Sequence, residues 1–294
     1  MQLDLSGSKE TIRLWPDGPP TTLDGVGPEV TYAAPPGLAA GTLFQRNISD
    51  PTLTVFAPAP GEGNGVGIVV IPGGGWTINA ATHEGTDVAR WLVDAGYTAF
   101  LLKYRVQGSP DDQAEFEAIM AAVDGGLAVR RKQADLPRSI GALIDTPAYQ
   151  AARAAAADDG RRALAMAREV APDHGVRPES IGLLGFSAGA FLCVDLALDP
   201  RGAQPAFIAP IYGGETRGAA VPDDAPPLFT AVAQDDILLK VVEGVHADWS
   251  AADKSSEIHV FAQGQHGFGM VRQGLPVDRW TDQFLAWVAS LPAS

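Results

Sequence analysis

A single cysteine in 294 residues, Cys193, excludes an internal disulfide and any site built from clustered cysteines. Positive charge is also scarce. Lys and Arg number 21 against 35 Asp and Glu, a net charge of −14. A surface of that sign repels phosphate backbones and anionic membranes, so neither is expected as a partner. The one basic cluster, Arg130-Arg131-Lys132, reads as a solvated helix face. Long hydrophobic runs are missing too. The longest uncharged stretch, Gly63 to Thr82, is broken by Pro72 and three successive glycines and cannot form a spanning helix. The opening residues, MQLDLSGSKE, lack the basic-then-apolar order of a secretory leader, and the expected location is cytoplasmic.

What is present suits a sizeable folded core. Hydrophobic residues make 46% of the chain and charged residues 19%, and a chain of this length buries about 73% of its unfolded surface. Glycine (33) and proline (23) point to many tight turns. The first fifty residues read as loops with short strands. Thr11–Trp15 and Pro51–Ala57 are expected as edge strands. An alternation follows: GIVVI at 67–71, a helical pattern over Gly85–Ala95, TAFLLK at 98–103, a helix over Asp159–Val170, SIGLLG at 180–185 and a helix over Ala188–Leu198. Strands at 207–212, 228–233 and 257–262 and a closing helix over 277–291 complete it. Wholly apolar strands alternating with helices imply an α/β fold, with a mostly parallel sheet covered on both faces. One domain is expected over residues 1–294. Gln107–Ala157 interrupts the rhythm. It is far longer than an ordinary connection, is alanine-rich and helical in pattern, and reads as a helical insertion serving as a lid or an oligomer contact.

The sharpest chemical signal is Gly185-Phe186-Ser187-Ala188-Gly189, which ends a strand and opens a helix. A serine at such a turn is strained and exposed, and the helix N-terminus behind it favours developing negative charge. Ser187 is the candidate nucleophile. Its base and orienting acid should follow in the order acid, then histidine. Of His246, His259 and His266, only His266 lies in a glycine-rich loop after a strand, in QGQHGFG. His259 lies within a strand, and His246 in a surface helix. The acid should follow PLFTAVA, where Gln234-Asp235-Asp236 stands; Asp236 is preferred, with Asp235 the alternative. After GIVVI comes Pro72-Gly73-Gly74-Gly75-Trp76, whose N–H groups can supply half of an oxyanion hole, with the Ala188 N–H as the other half. Trp76 either walls the substrate pocket or packs the turn, and Phe186, beside the serine, is a further candidate to line that pocket. His83-Glu84 is not a zinc motif, because Asp87 occupies the place of a second histidine. Cys193 reads as a core residue.

Together these stretches resemble the α/β-hydrolase superfamily, and within it the acetyl-esterase/lipase branch that includes acetylxylan-esterase-like proteins. The likeness runs from about Pro51 onward, through PTLTVFAP, VIPGGGW, His83-Glu84-Gly85, LKYR at 102–105, GFSAG, PPLFTAVAQDD and HVFAQGQHGFG. It implies an α/β-hydrolase fold, a Ser187–Asp236–His266 triad and an oxyanion hole at Gly74, Gly75 and Ala188. It also implies hydrolysis of short acyl esters, often acetyl groups on sugars, with no metal or cofactor. His83-Glu84-Gly85 and Arg105 resemble the family's structural pair near the site, and an ion pair between Glu84 and Arg105 is expected. Three departures surround the pocket. Trp76 stands where tyrosine is common, Ala190-Phe191-Leu192 stands where a further glycine and a histidine are usual, and the insertion is longer. Two other readings compete: an amide hydrolase of the arylformamidase type, and a non-catalytic binding protein on the same fold. Nothing in the sequence fixes the oligomeric state, and a homo-oligomer is compatible with it.

Overall fold

The computed structural model describes residues 1–34, 41–131 and 136–292, and of 124–131 the backbone alone. The basic cluster Arg130-Arg131-Lys132 falls outside the described side chains. In chain order the strands and helices are β1 (Ser8–Arg13), β2 (Val30–Ala33), β3 (Leu43–Arg46), β4 (Thr52–Phe56), β5 (Gly67–Ile71), β6 (Ile78–Asn79), α1 (Asp87–Asp94), β7 (Thr98–Lys103) and α2 (Gln113–Arg131). They continue with α3 (Pro147–Val170), β8 (Ile181–Phe186), α4 (Ala188–Ala197), β9 (Ile208–Ile211), β10 (Leu228–Ala233), α5 (Leu239–Ala251), β11 (Ser256–Phe261) and α6 (Trp280–Ser290).

Eight strands form one sheet in the order β1-β4-β7-β5-β8-β9-β10-β11. The six from β7 to β11 run parallel, while β4 and β1 are antiparallel additions at one side. The segment 51–57 is therefore not an edge strand, because β1 covers its outer side. A separate small sheet, β2-β3-β6, gathers part of the N-terminal region against the turn after β5. The period-2 rule divides β5 between two cores. Val69 and Ile71 face α3, α4 and α5. Ile68 and Val70 face α1 and α6, whose Val88, Leu92, Trp280 and Phe284 pack against them. This is the α/β-hydrolase arrangement, a large and mostly parallel sheet with helices on both faces. Among the described residues no helix is long and apolar enough to cross a membrane.

The sheet has one place where successive connections diverge. From β5 the chain passes through α1 to β7 on one side, and from β8 it passes through α4 to β9 on the other. Open parallel sheets present a crevice at such a point, outside the carboxyl ends of the strands. The loops after β5 and β8 are the glycine run 73–75 and the Ser187 turn.

The sequence pattern separates an insertion ending at 157 from a helix beginning at 159, but one helix, α3, runs from 147 to 170. Thr146 caps it by accepting the Tyr149 N–H at 3.2 Å, and Pro147 occupies its first turn. Its continuity corrects a second expectation. Arg105 does not pair with Glu84. Its guanidinium meets Asp159 in the middle of α3, at 2.8 Å from Nη2 to Oδ1, with both side chains essentially buried. Asp159 also accepts the Arg105 backbone N–H at 2.9 Å and the Trp15 indole N–H at 2.7 Å, and Arg105 donates further to Thr21 O and Ala155 O. Burial pushes the Asp159 carboxyl up, against the opposing pull of Arg105.

Truncating this carboxylate leaves a buried guanidinium without its counter-charge. Asp159→Ala is expected to cost about 3–5 kcal/mol of stability. In urea unfolding it should appear as a lower midpoint at unchanged slope. A midpoint within error of wild type would mean that Arg105 finds another partner.

Candidate active site

Ser187 closes β8 and opens α4 with φ +49° and ψ −113°. Non-glycine residues seldom hold such a backbone, and the cost is of order 1–3 kcal/mol. Packing enforces it: α4 approaches β5 so closely at Gly189 that a side chain there would strike the Ile71 carbonyl. The turn lifts the hydroxyl off the sheet, and Oγ lies 2.8 Å from His266 Nε2. On its other side, His266 Nδ1 lies 2.9 and 3.0 Å from the two carboxylate oxygens of Asp236. Asp236 is fully buried at its side chain, whereas His266 keeps 21% of its own exposed. Asp236 is held in turn by the Leu238 N–H, which donates to Oδ1 at 2.8 Å. Asp235 does a different job: it is exposed, and its Oδ1 accepts the Gln265 N–H at 2.8 Å, bracing the loop that carries His266.

Three side chains 30 and 79 residues apart along the chain therefore meet in one hydrogen-bonded line. A histidine between a hydroxyl and a buried carboxylate can accept the hydroxyl proton at Nε2 while the carboxylate stabilises the resulting imidazolium. Opposite the hydroxyl runs the glycine loop. The Gly73 N–H is taken by Glu84 Oε2 at 2.8 Å. The N–H groups of Gly74, Gly75 and Ala188 make no hydrogen bond among the described residues, and they are the donors left for a ligand oxygen.

Of the two residues named for the pocket, Phe186 lies elsewhere and Trp76 takes the second of its alternatives. Phe186 is fully buried on the α1/α6 side, with its ring 5.8 Å from Tyr212 and 5.6 Å from Trp280. Strand alternation sends its side chain down with Leu184, and only the turn at 187 aims upward. Trp76 is 2% exposed and packs the turn, edge-on to Tyr149 at 4.9 Å, 5.6 Å from Phe191 and 5.5 Å from the Arg153 guanidinium. Arg153 is itself paired with Asp195 of α4 (2.7 Å) and with Glu215 (3.0 Å) beyond β9. Glu215 also receives the Ile140 N–H at 3.0 Å, so this buried cluster ties segment 139–142 to the body.

Of the remaining candidates, His259 lies on the outer strand β11 against Phe229, and His246 lies on α5. Cys193 is buried in α4, and burial pushes its thiol up, away from a reactive thiolate. The sequence reading overlooks Tyr212, buried at the end of β9, with its ring 5.2 Å from that of His266. The available signal was a phenol directly before Gly213-Gly214, at the carboxyl end of the strand between the serine strand and the acid strand.

Comparison with known proteins agrees with this architecture. An acetylxylan esterase of Xylanibacter ruminicola is 23% identical over an alignment 288 positions long, gaps included, that covers 85% of this chain and 51% of that protein. The chain thus spans about half the length of this curated relative. Among solved structures, the acetyl ester-xyloside bifunctional hydrolase of Caldicellulosiruptor lactoaceticus superposes with a TM-score of 0.65 at 22% identity, covering 98% of both chains. An α/β-hydrolase enzyme from a Medee basin deep-sea metagenome library superposes with a TM-score of 0.58 at 20% identity, covering 88% of this chain and 96% of the other. The family model for the dienelactone hydrolase family matches residues 54–283, from β4 into α6 and through every segment of the candidate site. The chain belongs to the dienelactone hydrolase family.

Proposed function

We propose that this protein is a serine carboxylesterase that removes short acyl groups, acetyl foremost, from alcohols that include carbohydrates. The observation that carries the reading is the line Ser187 Oγ–His266–Asp236 at 2.8 and 2.9 Å, beside main-chain N–H groups that have no partner among the described residues. In the first step Ser187 attacks the ester carbonyl carbon and His266 Nε2 takes its proton. The carbonyl oxygen becomes an oxyanion and is met by the N–H groups of Gly74, Gly75 and Ala188. The intermediate collapses as His266 protonates the departing alcohol, leaving Ser187 acylated. Water then repeats the sequence, His266 accepting its proton, and the carboxylic acid and free Ser187 are restored. The names of the acetylxylan esterase relative and of the acetyl ester-xyloside hydrolase neighbour support acetylated sugar as the substrate class.

The test pairs labelling with a substrate panel. A fluorophosphonate should modify one serine per chain, and peptide mapping should locate it at Ser187. p-Nitrophenyl esters from acetyl to octanoyl, acetylated xylo-oligosaccharides and N-formyl aromatic amides are then compared by kcat/KM. Acetyl esters should lead by at least about tenfold, the discrimination that a few methylenes provide in a shaped pocket. A chain that neither labels nor hydrolyses any ester overturns the reading, and preference for the formamide replaces it with an amidase.

A further inference from the structure

Glu84 is a buried carboxylate, 3% exposed, that lies outside the line from Ser187 to Asp236. While Oε2 accepts the Gly73 N–H, its Oε1 accepts the Tyr212 hydroxyl at 2.6 Å. The Tyr212 oxygen accepts the Gly269 N–H at 3.1 Å, three residues beyond His266. One carboxylate thus joins the glycine loop after β5, the end of β9 and the loop that carries the imidazole. The direction of each bond is fixed. Both amides can only donate, so Glu84 Oε2 and the Tyr212 oxygen accept them, and the phenol O–H donates to Glu84 Oε1. Burial and the adjacent Glu84 charge push the Tyr212 phenol well up, and its proton stays on.

Other features converge on the same place. Tyr212 holds φ +41°, a conformation that a bulky side chain adopts only when its surroundings over-determine it. Its ring stands edge-on to the His266 imidazole at 5.2 Å and to Phe268 at 4.5 Å. Trp280 Nε1 donates to the Gly269 carbonyl at 2.8 Å, holding that residue from its other end. The core supplies ample apolar support here, so a buried acid and a strained tyrosine are not needed for packing alone.

We propose that Glu84 and Tyr212 are positioning residues: a hydrogen-bonded brace that keeps the imidazole of His266 and the glycine loop in one fixed frame. The proposal rests on the esterase reading above. With its N–H committed to Glu84, Gly73 leaves the amides of Gly74 and Gly75 to meet the oxyanion. The ring edge and the Gly269 bond restrict where the imidazole can swing. A displacement of about 1 Å at either place costs about 100-fold in rate.

Two near-isosteric variants test it. Tyr212→Phe keeps the ring and removes the hydroxyl. Glu84→Gln keeps the volume but offers one acceptor oxygen where two donors need one each. Each variant is counted by fluorophosphonate titration, so that rates refer to assembled sites. The expected result is a fall in kcat of about 10- to 100-fold, with KM for p-nitrophenyl acetate changed by less than about threefold. The low-field proton resonance of the His266–Asp236 hydrogen bond should also shift or broaden in both variants. A purely structural role would lower thermal midpoints and leave that resonance and the kcat per labelled site unmoved. If Tyr212→Phe does not fold, Glu84→Gln alone decides. Wild-type kcat and resonance in the folded variants overturn the brace, as does failure of both to fold, which would make the pair a folding element. A wild-type chain that does not label at all overturns the esterase reading itself.

Discussion

Ser187→Ala is expected to lower kcat for p-nitrophenyl acetate by about 10⁶-fold while the protein stays folded. In the proposed mechanism Oγ is the atom that bonds the acyl carbon, and no neighbour can substitute for it. Cys193, the sole thiol of the chain, is buried one and a half turns along α4 and does not reach the surface. The stability cost should be small, within about 1 kcal/mol. Alanine tolerates φ +49° no worse than serine does, and the lost hydrogen bond leaves no orphan in the core, because His266 is partly exposed and can turn to water. Residual activity should remain above the uncatalysed rate, since the proposed oxyanion donors Gly74, Gly75 and Ala188, whose amides have no partner among the described residues, would still meet an oxyanion formed by attacking water. Adding His266→Ala to Ser187→Ala should therefore reduce the rate little further, because residues that act as one unit are not additive. A single Ser187→Ala variant within about tenfold of wild type would remove the nucleophile assignment and the acyl-enzyme with it.

The parts of this site that were legible in the sequence are those fixed by neighbouring residues. A serine between glycines after an apolar strand announces its turn, because the steric demand is local: α4 must pass close to β5, and Gly189 permits it. The histidine loop is legible for the same reason, as its glycines stand where the chain leaves a strand. The central parallel strands β5 and β8 too are legible, since burial on both faces makes them wholly apolar. Contacts that depend on how far an element continues were not legible. The sequence pattern places a helix start at Asp159, flanked by Asp158 and Gly160. In the fold they are mid-helix: Gly160 admits the side chains of Leu192 and Leu196 from α4, and Asp159 waits beneath Arg105. Once α3 is continuous, Arg105 is claimed by Asp159 and Glu84 is released for Gly73 and Tyr212. The misplaced ion pair and the overlooked Glu84–Tyr212 contact thus share one cause, the continuation of α3 from its cap at Thr146 through Asp159 and Gly160, where it packs against α4. Phe186 misled for a simpler reason. Its sequence neighbour Ser187 lies beyond the end of the strand, so adjacency along the chain places the two on opposite faces.

Asp236→Asn is expected to lower kcat by about 10⁴-fold without unfolding the chain. The side chain keeps its size, and its amide oxygen can still accept the Leu238 N–H that Oδ1 accepts at 2.8 Å. That bond decides the outcome. With the oxygen committed to Leu238, the amide nitrogen faces His266 Nδ1 and can only donate. The imidazole is then driven to the tautomer that carries its proton on Nε2, the atom 2.8 Å from the Ser187 hydroxyl. Nε2 can no longer accept the serine proton, and the negative charge that would stabilise an imidazolium is gone. Asp235→Asn provides the contrast. Asp235 meets the Gln265 N–H through one oxygen, an interaction that an asparagine oxygen reproduces, so its loss in kcat should stay below about tenfold. The pair of adjacent aspartates thus separates by about three orders of magnitude in rate, although the sequence distinguishes them by one position. Equal losses at 235 and 236 would mean that the carboxylates act through the net charge of the loop. A larger loss at 235 would transfer the acid role to the exposed residue and undo the geometry on which the esterase reading stands.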